Sequence, residues 1–184
     1  GSSGGADPAV FRGPDGQNSW PNGWVMRLSD SGKHGFTWLM AMTGGTPWAG
    51  GLGFTNPDNI AIDSRGNLWI VTDRSMKSSS GDVFGNNSCW VVPRKDNGDE
   101  TAACFATGPM ECEVTGVCID QAEESLFLAV QHPGEVYGTR AKWDAEYQAY
   151  ELLDRTGRSF QQLRKVPLGS NWPAQAPGRP PRPG

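Results

Sequence analysis

Two segments of this chain repeat one another. Asn59 to Asp73 reads NIAIDSRGNLWIVTD and Gly116 to Gln131 reads GVCIDQAEESLFLAVQ; both carry an Ile-Asp pair, a polar turn and then a Leu-aromatic-aliphatic run. Short apolar runs on either side of a turn are the mark of antiparallel hairpins, and Gly66 in Ser64-Arg65-Gly66-Asn67 supplies the positive φ that such a turn demands. The offset from Asp63 to Asp120 is 57 positions. That is longer than the roughly 40 to 50 residues of common propeller blades and leaves room for inserted loops. Repeated antiparallel units of this kind build propellers.

Further strands are expected at Trp24 to Leu28, Phe36 to Met42, Asn59 to Asp63, Leu68 to Asp73, Cys89 to Val92, Ala102 to Ala106, Glu113 to Asp120 and Leu126 to Gln131. With 25 Gly and 14 Pro among 184 residues, turn formers separate them throughout, which suits many strands better than long helices. The expected class is all-β: a partial β-propeller of about three blades, forming an open arc because a closed ring needs roughly four to eight. One stretch departs from the pattern. Ala141 to Asp154 places Trp143, Tyr147, Tyr150 and Leu153 at helical spacing and predicts one short amphipathic helix packed on the sheets. Residues 1–21 read as a loop or disordered lead-in, 22–172 as the blades and 173–184 as a proline-rich tail.

The formal net charge of −4 argues against a binder of the nucleic-acid phosphate backbone and weakly favours cations. No run of eighteen or more apolar residues spans a bilayer, and no segment has the charged-then-apolar pattern of a signal peptide. Cys89, Cys104, Cys112 and Cys118 match no zinc or redox spacing; buried free thiols are expected, with one disulfide as the alternative in an oxidising compartment. No P-loop is present and the cysteines have no obvious His partner in sequence, which leaves metal-assisted hydrolysis as the chemistry best suited to an enzyme of this composition.

Residues at the starts of inner propeller strands converge on the central channel. The repeat places Asp58 and Asn59 in one unit opposite Glu113 in the other, and oxygen donors from separate blades are what Ca²⁺ requires. For Asp58 and Asn59 an Asx-type turn is the alternative. A carboxylate between Cys112 and Val114 is costly to bury unless paired or metal-bound. Asp73 ends its strand, where it is either a turn cap or part of the site. Gln131 occupies the matching place in the second unit. His132 follows and precedes Pro133, which biases it toward an extended backbone; it serves as ligand, proton carrier or phosphate donor, or as a structural hydrogen-bonding group. His34 sits in a Gly-Lys-His-Gly turn and reads as exposed.

The segment Phe54-Thr55-Asn56-Pro57-Asp58-Asn59, with Ile62-Asp63, Gly66-Asn67-Leu68-Trp69 and Thr72-Asp73, resembles the PDN-x-x-x-D-x-x-G-x-L-W-x-x-T-D signature of PhoX-type phosphatases. Gly108-Pro109 with Glu113-Val114-Thr115-Gly116, and Leu126-Phe127 through Val130-Gln131-His132-Pro133-Gly134-Glu135, resemble that family's GP-x-x-x-EVTG and LF-x-x-VQHPGE motifs. Weaker agreements lie at Asn22-Gly23, Phe36-Thr37-Trp38, Gly44-Gly45, Ser170-Asn171-Trp172-Pro173 and Pro180-Pro181-Arg182-Pro183.

The resemblance implies the C-terminal part of an exported, periplasmic or extracellular bacterial enzyme that hydrolyses phosphate monoesters with Ca²⁺ and Fe³⁺ in the propeller channel. It also implies that N-terminal blades are missing here. By position, Glu113, Asp58, Asn59 and Asp73 are the implied metal-site residues and His132 a substrate-binding one. The family's iron centre also takes a cysteine from the N-terminal portion, with no counterpart among the four here, and Met110 and Glu111 bring no positive charge beside Glu113. A calcium-dependent lactonase-like propeller and a non-catalytic binding propeller are the rival readings; the first shares the Asn67-Leu68-Trp69 hairpin.

Overall fold

The computed structural model of the chain describes residues 12, 16, 19–74, 83–95, 100–134, 147–165, 170 and 172–173. Among them the regular structure is β-sheet, interrupted by one 3-10 turn at Pro47–Ala49. The strands are β1 (Trp24–Gly32), β2 (Gly35–Thr43), β3 (Pro57–Ile62), β4 (Leu68–Thr72), β5 (Ser88–Val92), β6 (Ala103–Thr107), β7 (Glu113–Ile119), β8 (Leu126–Gln131), β9 (Tyr147–Leu153) and β10 (Ser159–Lys165). All eight strands expected from the sequence form, within a residue or two at their ends except for a longer β1.

Two compact units divide the chain. One draws on Gly1–Arg74, Val83–Gly108 and Glu113–Ala129, the other on Ser75–Asp82, Pro109–Cys112 and Val130–Gly184. In the first, β3-β4-β5-β6 is a four-stranded antiparallel meander in chain order, the layout of a propeller blade, flanked by the two-stranded sheets β1-β2 and β7-β8. Its core is Val25, Phe54, Ile70 and Val92, with Met42, Leu52, Leu68, Trp90 and Ala102 packed around them. Strand β4 lies between β3 and β5, and Ile70, Val71 and Thr72 are all buried in it. Close backbone contact at Gly44 holds the loop between β2 and β3, since a Cβ there would stand 2.2 Å from the Asn22 carbonyl oxygen.

One turn recurs in this fold. At Asp63 the backbone N–H of Gly66 donates to the Asp63 carbonyl (2.9 Å), Gly66 adopts φ +83°, and Asp63 Oδ1 accepts from the N–H groups of Arg65 (3.1 Å) and Asn67 (2.8 Å). Asp120 repeats the device, its Oδ1 accepting from Glu124 and Ser125. So does Asp154, with Thr156, Arg158 and Gly157 at φ +79°. A carboxylate that satisfies turn N–H groups fixes hairpin register before any long-range packing.

The third copy corrects the helix expected over 141–154. Tyr147–Leu153 is strand β9, paired antiparallel with β10 from Tyr147↔Lys165 to Leu153↔Ser159; residues 141–146 lie outside the described residues. Burial alternates along β9, with Gln148, Tyr150 and Leu152 half-buried and their neighbours exposed, so the period is two. The Asp154 turn and a strand beyond it override the local three-to-four spacing.

At Asp63 burial pushes the carboxyl pKa up, but hydrogen bonds from the Asn67 side chain and backbone, the Trp69 indole and the Arg65 backbone outweigh it and hold the group below its ordinary value. A depressed folded pKa contributes stability above the unfolded value of about 3.9 and loses it as pH falls through the folded one. Asp63→Asn is therefore expected to lower the unfolding midpoint at neutral pH. The gap to the wild type should narrow steadily below about pH 4, as read by thermal melts across pH. A gap that stays constant to pH 2 would show that the charge of Asp63 plays no part.

Candidate functional site

The register of β3 against β4 slips between Pro57 and Ile60: Pro57 faces Thr72 and Ile60 faces Ile70, so one extra residue is accommodated at Asp58-Asn59. A bulge of this kind re-aims side chains away from the ladder. Asn59 uses it to reach the next hairpin, where its Oδ1 accepts from the Thr115 hydroxyl and, at 3.1 Å, from the Gly116 N–H. Asp58 and Asn59 thus lie within strand β3, rather than in the Asx-type turn that was the alternative for them. Asn56, at φ +51°, makes the local turn instead.

A second link ties the same two hairpins at their far ends: the Glu123 carboxylate accepts from the backbone N–H and, at 2.7 Å, the hydroxyl of Ser64. Asn59 lies near the start of β3 and Thr115 near the start of β7, while Ser64 and Glu123 belong to the two turns. The hairpins consequently run side by side in the same sense. Glu113, the half-buried first residue of β7, falls at the end that also carries Asp58 and Asn59. Asp73 follows β4 at that end, its N–H donating to the Asn56 carbonyl at 3.0 Å.

A scan against family models matches residues 4–134 of the chain to alkaline phosphatase PhoX. The chain belongs to the PhoX family. Among solved structures, Pseudomonas fluorescens PhoX in complex with vanadate, a transition state analogue, aligns with 27% sequence identity and a TM-score of 0.52. The alignment covers 67% of this chain and 24% of that one, so the chain spans about a quarter of that relative's length. No curated protein matches it.

The donors of this PhoX-family chain suit a hard cation in kind, being carboxylate oxygens, but fall short in number. Among the described residues no three His, Cys, Asp or Glu side chains come together as a metal-holding group. Asn59 Oδ1 is already engaged by two donors from β7. Asp58, Asp73 and Glu113 are too few donors to complete a coordination shell.

His132 departs from the expected extended backbone and sits at φ +34°, exposed. The preference imposed by Pro133 is overridden by the turn that follows, in which the Gly134 N–H donates to the Met110 carbonyl at 2.9 Å. His34 is exposed as expected, at φ +71°. All four thiols are free, but only Cys89 and Cys112 are buried; Cys104 and Cys118 are exposed on strands. Burial, with Cys104 nearby, pushes Cys89 up to about 11, so its thiol is inert at neutral pH.

Arg74, Asn87 and Glu123 escaped the sequence reading. Asn87 caps the end of β4, its Oδ1 accepting from the Thr72 hydroxyl (3.0 Å) and the Arg74 N–H (2.7 Å) while its Nδ2 donates to the Arg74 carbonyl (3.1 Å). Arg74 Nη1 donates to the carbonyls of Phe84 (2.9 Å) and Gly85 (3.3 Å), and its guanidinium carbon lies 5.8 Å from the Phe84 ring centroid. Burial lowers the pKa of that guanidinium. A cation directly after Thr72-Asp73 was the signal available in the sequence.

Proposed function

We propose that this chain is part of a metal-dependent phosphoric ester hydrolase that acts on phosphate monoesters in the periplasm or outside the cell. The match of residues 4–134 to the alkaline phosphatase PhoX family carries the reading. The two links that align β3 with β7, and so bring Asp58, Asp73 and Glu113 to one end of neighbouring hairpins, support it. Calcium and iron are the proposed metals, with the donors not found here supplied by other blades of a longer protein. When bound, such ions polarise phosphoryl oxygens and make water a nucleophile at neutral pH.

The residues of this chain have separable parts. Glu113, Asp58 and Asp73 present anionic oxygen to the cations. Asn59 positions Glu113 by holding β7 two residues further along. His132, at the surface, contacts the substrate as donor or proton carrier. A longer protein carrying this segment should hydrolyse an aryl phosphate and leave a lactone untouched, and a chelator should abolish turnover until calcium is restored. The 184-residue chain alone should show little activity, because its described residues bring together too few donors for a metal shell. Lactone hydrolysis would favour the lactonase-like alternative, and chelator-insensitive phosphatase activity would remove the metals from the proposal.

A further inference from the structure

Residues 53–55 before β3 and 83–87 before β5 border a pocket of about 170 Å³ at the strand end that carries Asp73, lined among others by Gly53, Phe54, Thr72, Phe84, Asn87 and Trp90. Its polar lining groups already have hydrogen-bond partners. The Thr72 hydroxyl donates to Asn87 and accepts from the Ser88 N–H at 2.9 Å; the Trp90 indole donates to the Ser88 hydroxyl at 2.7 Å; the Thr55 hydroxyl donates to Asn56 Oδ1 at 2.7 Å. A polyol entering here would exchange its water hydrogen bonds for few new ones, which is costly. The pocket offers rings instead. Phe54 and Trp90 meet edge to face with centroids 6.4 Å apart, and Phe84 forms a further wall.

The walls are held in place before any ligand arrives. Arg74 grips the Phe84 and Gly85 carbonyls, Asn86 Nδ2 donates to the Gly108 carbonyl (3.2 Å), and the Gly108 N–H donates to the Asn87 carbonyl (2.8 Å). Gly53, at φ +97°, lets the backbone lie against Trp90, where a Cβ would stand 3.2 Å from the indole. A cavity of roughly 150 Å³ is large enough for benzene, so a single flat ring matches the space in size, with its edge left to the polar lining groups.

We propose that this pocket seats an aromatic ring, and that in the phosphatase it receives the aryl leaving group of a phosphate ester whose phosphoryl end points toward Asp73. The second half rests on the proposed function; the ring site does not. Phenol should bind the 184-residue chain at millimolar concentration, with or without a chelator, as read by ligand-observed NMR. Cyclohexanol, lacking a π-face, should bind more weakly. Phe84→Ala should weaken phenol binding by about five-fold. Gly85→Leu should block it, since Gly85 lines the pocket, and the fold should tolerate the change, since a Cβ there meets no atom within 4 Å. In the longer protein the same Gly85→Leu change should raise KM for phenyl phosphate while leaving methyl phosphate unaffected. Phenol that binds neither form, or binds the Gly85→Leu variant equally well, overturns the pocket even if phosphatase activity is found. Phenol binding without any phosphatase activity leaves the ring site standing and removes its role in the hydrolase.

Discussion

Glu113→Gln, introduced into a longer protein that carries this segment, should cut phosphate-ester turnover by about 100-fold or more while leaving the metal-free fold intact. Gln has nearly the size of Glu, and Glu113 stands at the half-buried start of β7, so packing changes little. What changes is the anionic oxygen, and hard cations select ligands by oxygen charge and count. Loss of an outer partner of a metal ligand already costs roughly 10 to 100-fold in affinity or activity, so loss of a ligand should cost at least the upper figure. Calcium should raise the melting temperature of the wild type by mass action and raise that of the variant far less, because ligand stabilisation grows with the logarithm of 1 + [L]/Kd. Equal melting temperatures in chelator, with a lost calcium increment, separate a ligand from a packing residue. Asn59→Ala should give the converse pattern, with lower stability in chelator, since its amide joins β3 to β7. A fully active Glu113→Gln protein would remove that carboxylate from the chemistry.

The hairpins were legible because their information is local. In Asn59 to Asp73 alternation, a turn carboxylate and a glycine at positive φ all agree, and agreement between levels is what makes a segment fold one way. The β9-β10 hairpin carries the same Asp-x-x-Gly turn at Asp154 to Gly157, but Tyr147, Tyr150 and Leu153 also fit helical spacing. The deciding partner, Ser159–Lys165, has a polar centre that gives no strand signal of its own. The backbone of His132 was not legible because the turn it enters is tied, through the Gly134 N–H, to the carbonyl of Met110, far away in sequence. Cys104 and Cys118 show the limit of composition: a residue type that is usually buried lies exposed where two-sided strands leave one face open. At the site, the repeat indicated which strand starts come together, but not that a bulge would commit Asn59 Oδ1 to β7. Nor could it show that Arg74 and Asn87, thirteen positions apart, close the end of β4.

Ile70→Ala should be the most destabilising aliphatic truncation in the blade, costing about 2 to 5 kcal/mol. Ile70 is fully buried at the centre of β4, between β3 and β5, and belongs to a core whose buried members among the described residues are Val25, Phe54, Ile70 and Val92. Truncation removes the transfer energy of three carbons and leaves a void that paired neighbours on both sides cannot collapse into. Typical domains have about 5 to 15 kcal/mol in total, so such a loss would consume a large share of the stability. The conservative Ile70→Val should cost only about 0.5 to 1.5 kcal/mol. Ile62 is the internal control: it lies on the adjacent strand, opposite Leu68, yet is 69% exposed, and Ile62→Ala should stay within about 0.5 kcal/mol of the wild type. Urea unfolding of the three variants should therefore give midpoints in the order Ile62→Ala, Ile70→Val, Ile70→Ala, with unchanged slopes. An Ile70→Ala midpoint equal to that of Ile62→Ala would mean that the sheet is not packed on the face where Ile70 meets Phe54 and Val92.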